Sequence, residues 1–183
     1  MWFFKKKPAP DLPAHAILDQ LKEVYRLERK TPSESSIMGD WWESRLDGRR
    51  LAFQERGRGL AAFLGVIEEI TEIYLCRNLP GQPVPVAARQ HLARIVGAEG
   101  AALASQFFLG AHPDGDFDYP ALRLPPLRDG TARLSPSIRE IAVYESFRGL
   151  SLITDETATP TAIAGDLQLA AGMLDALAAM AGR

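Results

Sequence analysis

The sequence predicts a mainly α fold, an irregular bundle of five or six helices with a long Pro-rich loop and at most one small β-hairpin. Three observations predict it. Apolar residues recur at spacings of three and four through most of the chain. Clusters of proline and glycine punctuate it at intervals that suit helices. The last segment carries an apolar seam of coiled-coil type. With 183 residues, 46% hydrophobic and 24% charged, the chain has the balance of an ordinary globule with one core. The expected organisation is a flexible tail over 1–12 followed by one helical domain over 13–183.

The elements follow in order. From about Pro13 to Lys30, Ile17, Leu18, Leu21, Val24 and Tyr25 share one face of an amphipathic helix, and Pro32 prevents its continuation. Residues 31–39 read as a polar loop. Asp40 with Glu43 resembles a capping pair that opens a helix carrying Trp42, Leu46 and Phe53, weakened at Asp47-Gly48. After Gly57 and Gly59, the spacing of Leu60, Phe63, Leu64, Ile67, Ile70, Tyr74 and Leu75 predicts a longer helix, with Glu68, Glu69 and Glu72 on its outer face. Val86 to Leu109 reads as helix again, kinked at Gly97 and Gly100. Residues 110–134, with four prolines, form the long loop, and Leu122–Leu124 and Ala132–Leu134 can pair as a hairpin across Asp129-Gly130. Ser135-Pro136 opens a helix ending at Gly149, Leu150–Thr154 reads as a short strand, and Thr159-Pro160 opens the last helix, to about Ala181.

The residue inventory excludes several chemistries. All five lysines lie in the first 30 residues, so no phosphate-loop, kinase-strand or Schiff-base lysine sits in the folded body. The three histidines, His15, His91 and His112, form no H-E-x-x-H pair, and the single cysteine, Cys76, precludes an intrachain disulfide or a multi-cysteine metal site. Cys76 follows a run of core residues and reads as inert packing rather than a nucleophile. A net charge of −2 supplies no field for nucleic acid. The local cluster Arg45, Arg49, Arg50, Arg56 and Arg58 reads as pairs with neighbouring acids, and nucleic-acid binding is not expected. No metal and no cofactor are expected.

Three surfaces remain as candidates. In the last helix Ile163, Leu167, Ala170, Leu174, Leu177 and Ala181 form one apolar stripe, and Leu169, Met173, Ala176 and Met180 lie beside it. Together the stripes cover about half the helix, wider than a peripheral helix needs. Leu169, Met173, Ala176 and Met180 are therefore the expected contact for a protein partner or a second copy. Asp166 falls in the apolar sector, where it needs an arginine or an exposed end. The tail residues Trp2, Phe3, Phe4, Lys5, Lys6 and Lys7 combine rings with lysines and suit a weak contact with anionic lipid. The 110–134 loop sets His112 beside Asp114 and Asp116, the best acid/base candidates of an enzyme reading. Asp114, Asp116 and Asp118 alternate like the opening of a calcium loop, but the position that needs glutamate is Pro125. The tail has the wrong charge order for a secretory signal, and no stretch reads as a membrane span. The expectation is thus a non-catalytic adaptor subunit of a cytoplasmic assembly. Its alternatives are a peripheral protein at the inner face of a membrane and a small enzyme using the long loop.

Overall fold

The computed structural model describes residues 14–31, 40–67, 71–110 and 118–181. Within them the chain forms an eight-stranded antiparallel sheet with five α-helices, and the predicted helical bundle is overturned. In chain order the elements are α1 (Ala14–Tyr25), β1 (Glu28–Lys30), β2 (Trp41–Leu46), β3 (Arg49–Arg56), β4 (Gly59–Gly65), β5 (Thr71–Arg77), α2 (Val86–Val96), α3 (Ala101–Gln106), β6 (Phe107–Leu109), α4 (Pro125–Ala132), β7 (Ile138–Tyr144), β8 (Gly149–Thr154) and α5 (Pro160–Ala181). Strand order is β1-β2-β3-β4-β8-β7-β5-β6, so the last strand enters the middle of the sheet.

The first half is a meander whose turns are short. Leu46 pairs with Arg49 across Asp47-Gly48, and both turn residues have positive φ, +49° and +78°, as a tight hairpin requires. Arg56 pairs with Gly59 in the same way across Gly57-Arg58. The predicted helices over Asp40–Phe53 and Leu60–Arg77 are therefore strands β2 to β5. β4 reads Gly-Leu-Ala-Ala-Phe-Leu-Gly and is buried at all but one position, because it lies centrally between β3 and β8 and carries small residues beside its aliphatic ones. Such a run has no alternation, and its apolar spacing imitates a helix. The predicted 135–149 helix is likewise β7, and the predicted hairpin over 122–134 is a short 3₁₀ turn followed by α4.

Two glycines set the seam between the halves. Gly65 pairs with Gly149 at the end of the β4–β8 ladder, and Val66 N–H donates to the Arg148 carbonyl at 3.1 Å. A Cβ on Gly149 would strike the Val66 carbonyl, and one on Gly65, at φ +85°, would strike that of Arg148. Only glycine admits so close an approach.

Side chains alternate across the sheet. On one face Leu51 and Phe53, then Ala62 and Leu64, Leu150 and Leu152, Ile141 and Val143, and Ile73 and Leu75 stand in register and are buried. α1 packs on β2–β4 and α5 on β4 and β8, while α4 lies on α5, and α2 and α3 pack together with α2 against edge strand β6. α5 agrees with its predicted span. α1 stops at Tyr25, short of the predicted Lys30, because Arg26 turns to positive φ and the chain enters β1. The helix predicted over 86–109 divides into α2, a 3₁₀ turn and α3 before β6 begins.

Arg77, at the end of β5, ties this layer together. Its guanidinium lies 4.4 Å from the Phe107 ring centroid and donates to the carbonyls of Ile138 at 2.5 Å and Ser135 at 2.9 Å and to Gln106 Oε1 at 3.1 Å. One side chain thus joins β5, the end of α3 and the entrance to β7. Arg77→Met retains the stem and removes every donor. It should cost about 3 kcal/mol in urea unfolding, the loss expected for several charge-assisted bonds with their carbonyls left behind. A change within about 0.5 kcal/mol, the range of ordinary surface substitutions, would contradict this role.

Candidate functional site

Among the described residues no helix crosses the middle of the other face of the sheet, and the alternation that fills the core determines what stands there. Two rows cross it in register. One runs Ala52, Phe63, Ser151, Ala142, Tyr74, and the next runs Gln54, Ala61, Ile153, Glu140, Cys76, Phe108. Small residues at Ala142 and Ser151 form a low floor, and larger side chains rise around it. The result is a trough of about 650 Å³ walled by Phe63, Tyr74, Tyr119 and Tyr144, with Arg56, Thr71, Glu72 and Glu140 as its polar groups. A smaller hollow of about 240 Å³ adjoins it beyond Phe63, bounded by Trp41, Arg50, Gln54 and Ile67. This is the size and mixture of a ligand-binding cleft.

The polar groups of the floor bond to one another. Tyr74 donates its hydroxyl to Glu140 Oε2 at 2.6 Å, and Tyr144 donates to Ser151 Oγ at 3.1 Å. Burial first, and then the Glu140 acceptor, push the Tyr74 phenol well above its ordinary range. Tyr119 is raised by burial and by the neighbouring Glu72 charge. The Cys76 thiol is raised by burial and by Glu140, which outweigh a hydrogen bond with Tyr74 that acts the other way. A thiol so placed is protonated at neutral pH, and among the described residues no histidine or lysine bonds to it. Among the described residues no group of three or more His, Cys, Asp or Glu side chains is arranged to hold a metal ion.

At the hollow, Glu43 accepts from Trp41 Nε1 and Arg50 Nε, each at 3.0 Å. Partial burial alone would raise the Glu43 carboxyl, but the bonds from Arg50 and Trp41 hold it below the usual range. The predicted arginine cluster proves to be cross-strand and side chain–main chain pairing rather than a solvated helix face. Arg45 donates to the Gly48 carbonyl, Arg49 meets Asp175 on α5, Arg50 meets Glu43, and Arg58 lies 3.4 Å from Glu156. Arg56 alone of the five turns to the trough.

The other predicted residues lie elsewhere. Met173 is 1% exposed, seated against Gly130 and Thr131 of α4, with Thr131 Oγ1 3.7 Å from its sulfur. It cannot be a partner contact while α4 is docked. Leu169 and Met180 are half-buried against the same core, as Ala176 is half-buried on the helix surface. Of the four residues on which the adaptor and oligomer readings rested, one is thus internal and three are half-buried, and the helical bundle that framed those readings is replaced by a sheet-rich fold. Asp166 is buried, and its partner is Ser135, whose N–H and hydroxyl donate at 2.8 and 2.6 Å. His91, expected on a polar face, is buried edge-on to Tyr119 with ring centroids 6.5 Å apart. Trp2, Phe3, Phe4 and Lys5 to Lys7 lie outside the described residues, as do His112, Asp114 and Asp116. α5 is long and apolar enough to cross a membrane, contrary to the sequence reading, yet Ile163, Leu167, Ala170, Met173, Leu174 and Leu177 are buried within the fold.

No protein-family model matches this chain, and no curated protein does. The fold is similar to a crystal structure of the mycobacterial trehalose monomycolate transport factor A, TtfA, with a TM-score of 0.53 over 88% of this chain and 93% of that one. Identity is 9%, so the likeness is one of fold.

The trough residues escaped the sequence reading. A signal was present in Thr-Glu-Ile-Tyr-Leu-Cys-Arg of β5, which alternates polar or aromatic with aliphatic, and in Gly48 and Gly57 as hairpin turns. The buried phenols and thiol have a measurable consequence. Tyr25, Tyr74, Tyr119 and Cys76 all have raised pKa values, so above the ordinary thiol and phenol values the unfolded chain releases protons the native state retains. Stability should therefore be full at neutral pH and fall as pH rises from about 8.5 and more steeply past about 10. Chemical denaturation between pH 7 and 11 measures it, and Tyr74→Phe should flatten the upper limb. An alkaline limb identical in that variant would remove Tyr74 from the account.

Proposed function

We propose that the chain is a non-catalytic binding protein that holds an amphipathic ligand in the open-face trough of its sheet. The single observation that carries the reading is the trough itself, a hollow of ligand size with aromatic walls and a small-residue floor. Tyr74 and Cys76 are protonated at neutral pH and have no activating base among the described residues, which favours binding over catalysis. The neighbour of similar fold is named as a transport factor, and a carrier role for this chain is consistent with that name. The test uses N-phenyl-1-naphthylamine, a neutral fluorophore that brightens in apolar sites. The native chain should bind it saturably. Ala142→Trp, which fills the floor, should weaken binding at least tenfold with circular dichroism and melting temperature retained. Equal binding in the variant would place the probe elsewhere and overturn the reading.

A second reading concerns location. Trp2, Phe3 and Phe4 with Lys5 to Lys7 suit the surface of an anionic membrane, and each lysine contributes about 1 kcal/mol there. A carrier of amphipathic ligands at such a surface meets both donor and acceptor. Deletion of residues 2–7 should abolish co-sedimentation with phosphatidylserine-containing vesicles at low salt and leave the melting temperature unchanged. Undiminished co-sedimentation would exclude the tail as the contact.

A further inference from the structure

The trough is not electrically neutral, and the imbalance lies at one end. Glu72 and Glu140 both line it on the β5–β7 side. Glu140 accepts the Tyr74 hydroxyl through Oε2, and its second oxygen has no partner among the described residues. Glu72 is exposed and likewise has neither hydrogen bond nor ion pair among them. Arg56, the one guanidinium lining the trough, pairs with neither carboxylate. Several other acids have arginine partners: Glu43 with Arg50, Glu99 with Arg128, Asp118 with Arg123, Asp155 with Arg139 and Asp175 with Arg49. Glu72 and Glu140 instead line an aromatic trough with no ion-pair partner among the described residues.

Their surroundings indicate what would neutralise them. Tyr74, Tyr119 and Tyr144 line the same trough. With their phenols raised, Tyr74 and Tyr119 are neutral rings and carry no charge that would repel or pair with a ligand. Aromatic walls with an unpaired carboxylate attract an organic cation by ring quadrupole and by charge together. An anionic headgroup at this end would meet two like charges, and a neutral one would leave both unpaired.

We infer that the trough of the proposed binding protein takes its ligand by an alkylammonium group, seated among Tyr74, Tyr119 and Tyr144 and neutralised by Glu72 and Glu140. The group is a compact cation on an aliphatic stem, whether it belongs to an amine-bearing lipid headgroup or to a lysine side chain of a peptide. This inference rests on the trough being the binding site.

Three short amphiphiles of equal chain length separate the two claims when each displaces N-phenyl-1-naphthylamine from the full chain: hexyltrimethylammonium, hexyl glucoside and hexanoate. The cation should bind at least tenfold more tightly than either other probe. Glu72→Gln combined with Glu140→Gln should lower cation affinity about tenfold and leave hexyl glucoside within twofold, with melting temperature as a check on folding. Acetyl-Gly-Lys-Gly-amide and dodecylphosphocholine below its micelle concentration then distinguish a peptide from a lipid source. Tighter binding of hexanoate or hexyl glucoside, still blocked by Ala142→Trp, would overturn the cation and leave the trough standing. Absence of displacement by all three, with no fluorophore binding, would overturn both.

Discussion

The β4–β8 seam is the constraint on which the rest of this molecule depends. Strands β1–β4 form one meander and β7, β5 and β6 another group, and β8 alone joins them. The joint works because the backbones of Gly65 and Gly149 approach to where a methyl group would strike a carbonyl. It also makes the sheet a late product of folding. β8 is the last strand in the chain and enters the centre, so the ladder from β1 to β6 is continuous only after long-range pairing has formed.

From that seam the two faces diverge. Leu150 and Leu152 of β8 point into the helical layer, where α5 covers them, whereas Ser151 and Ile153 point the other way. The helical side is secured by polar ties at its borders. Arg77 gathers the entrance to β7, and Asp166 takes both donors of Ser135 so that α5 and the α4–β7 connection are fixed together. These ties concentrate on one side. With the core filled from there, the opposite face is free of packing duty and can be lined with small residues at the floor and rings at the rim.

How much of this was legible in the sequence follows from the same division. α1 and α5 were readable because each lies on one side of the sheet and shows helical period; the Thr159-Pro160 signal and the Ile163–Ala181 seam placed α5 correctly. The short strand at 150–154 was readable too. The central strands were not, since apolar and small residues on both faces blur alternation and leave runs that also fit a helix. Asp47-Gly48 and Gly57 carried the missing information. Read as breaks within helices they support a bundle, but as two-residue hairpin turns they bring three successive apolar runs into one sheet. The breadth of the apolar surface on α5 was real, and much of it packs on β4, β8 and α4. Of the trough, Arg56, Phe63, Glu72 and Tyr74 were named, but as parts of helices that do not exist, because a site assembled from six strands has no contiguous motif.

The trough also departs from the economy of the remainder. Stability alone would fill Ala142 and Ser151 with larger apolar side chains, as the other face is filled. Local departures from packing rules fall where a protein meets something else. Here the unfilled floor, the aromatic walls and two carboxylates without an ion-pair partner among the described residues occupy one side of one sheet. Since the Tyr74–Glu140 and Tyr144–Ser151 bonds hold those rings in place before any ligand arrives, the site is preorganised, and an incoming group need order little of it.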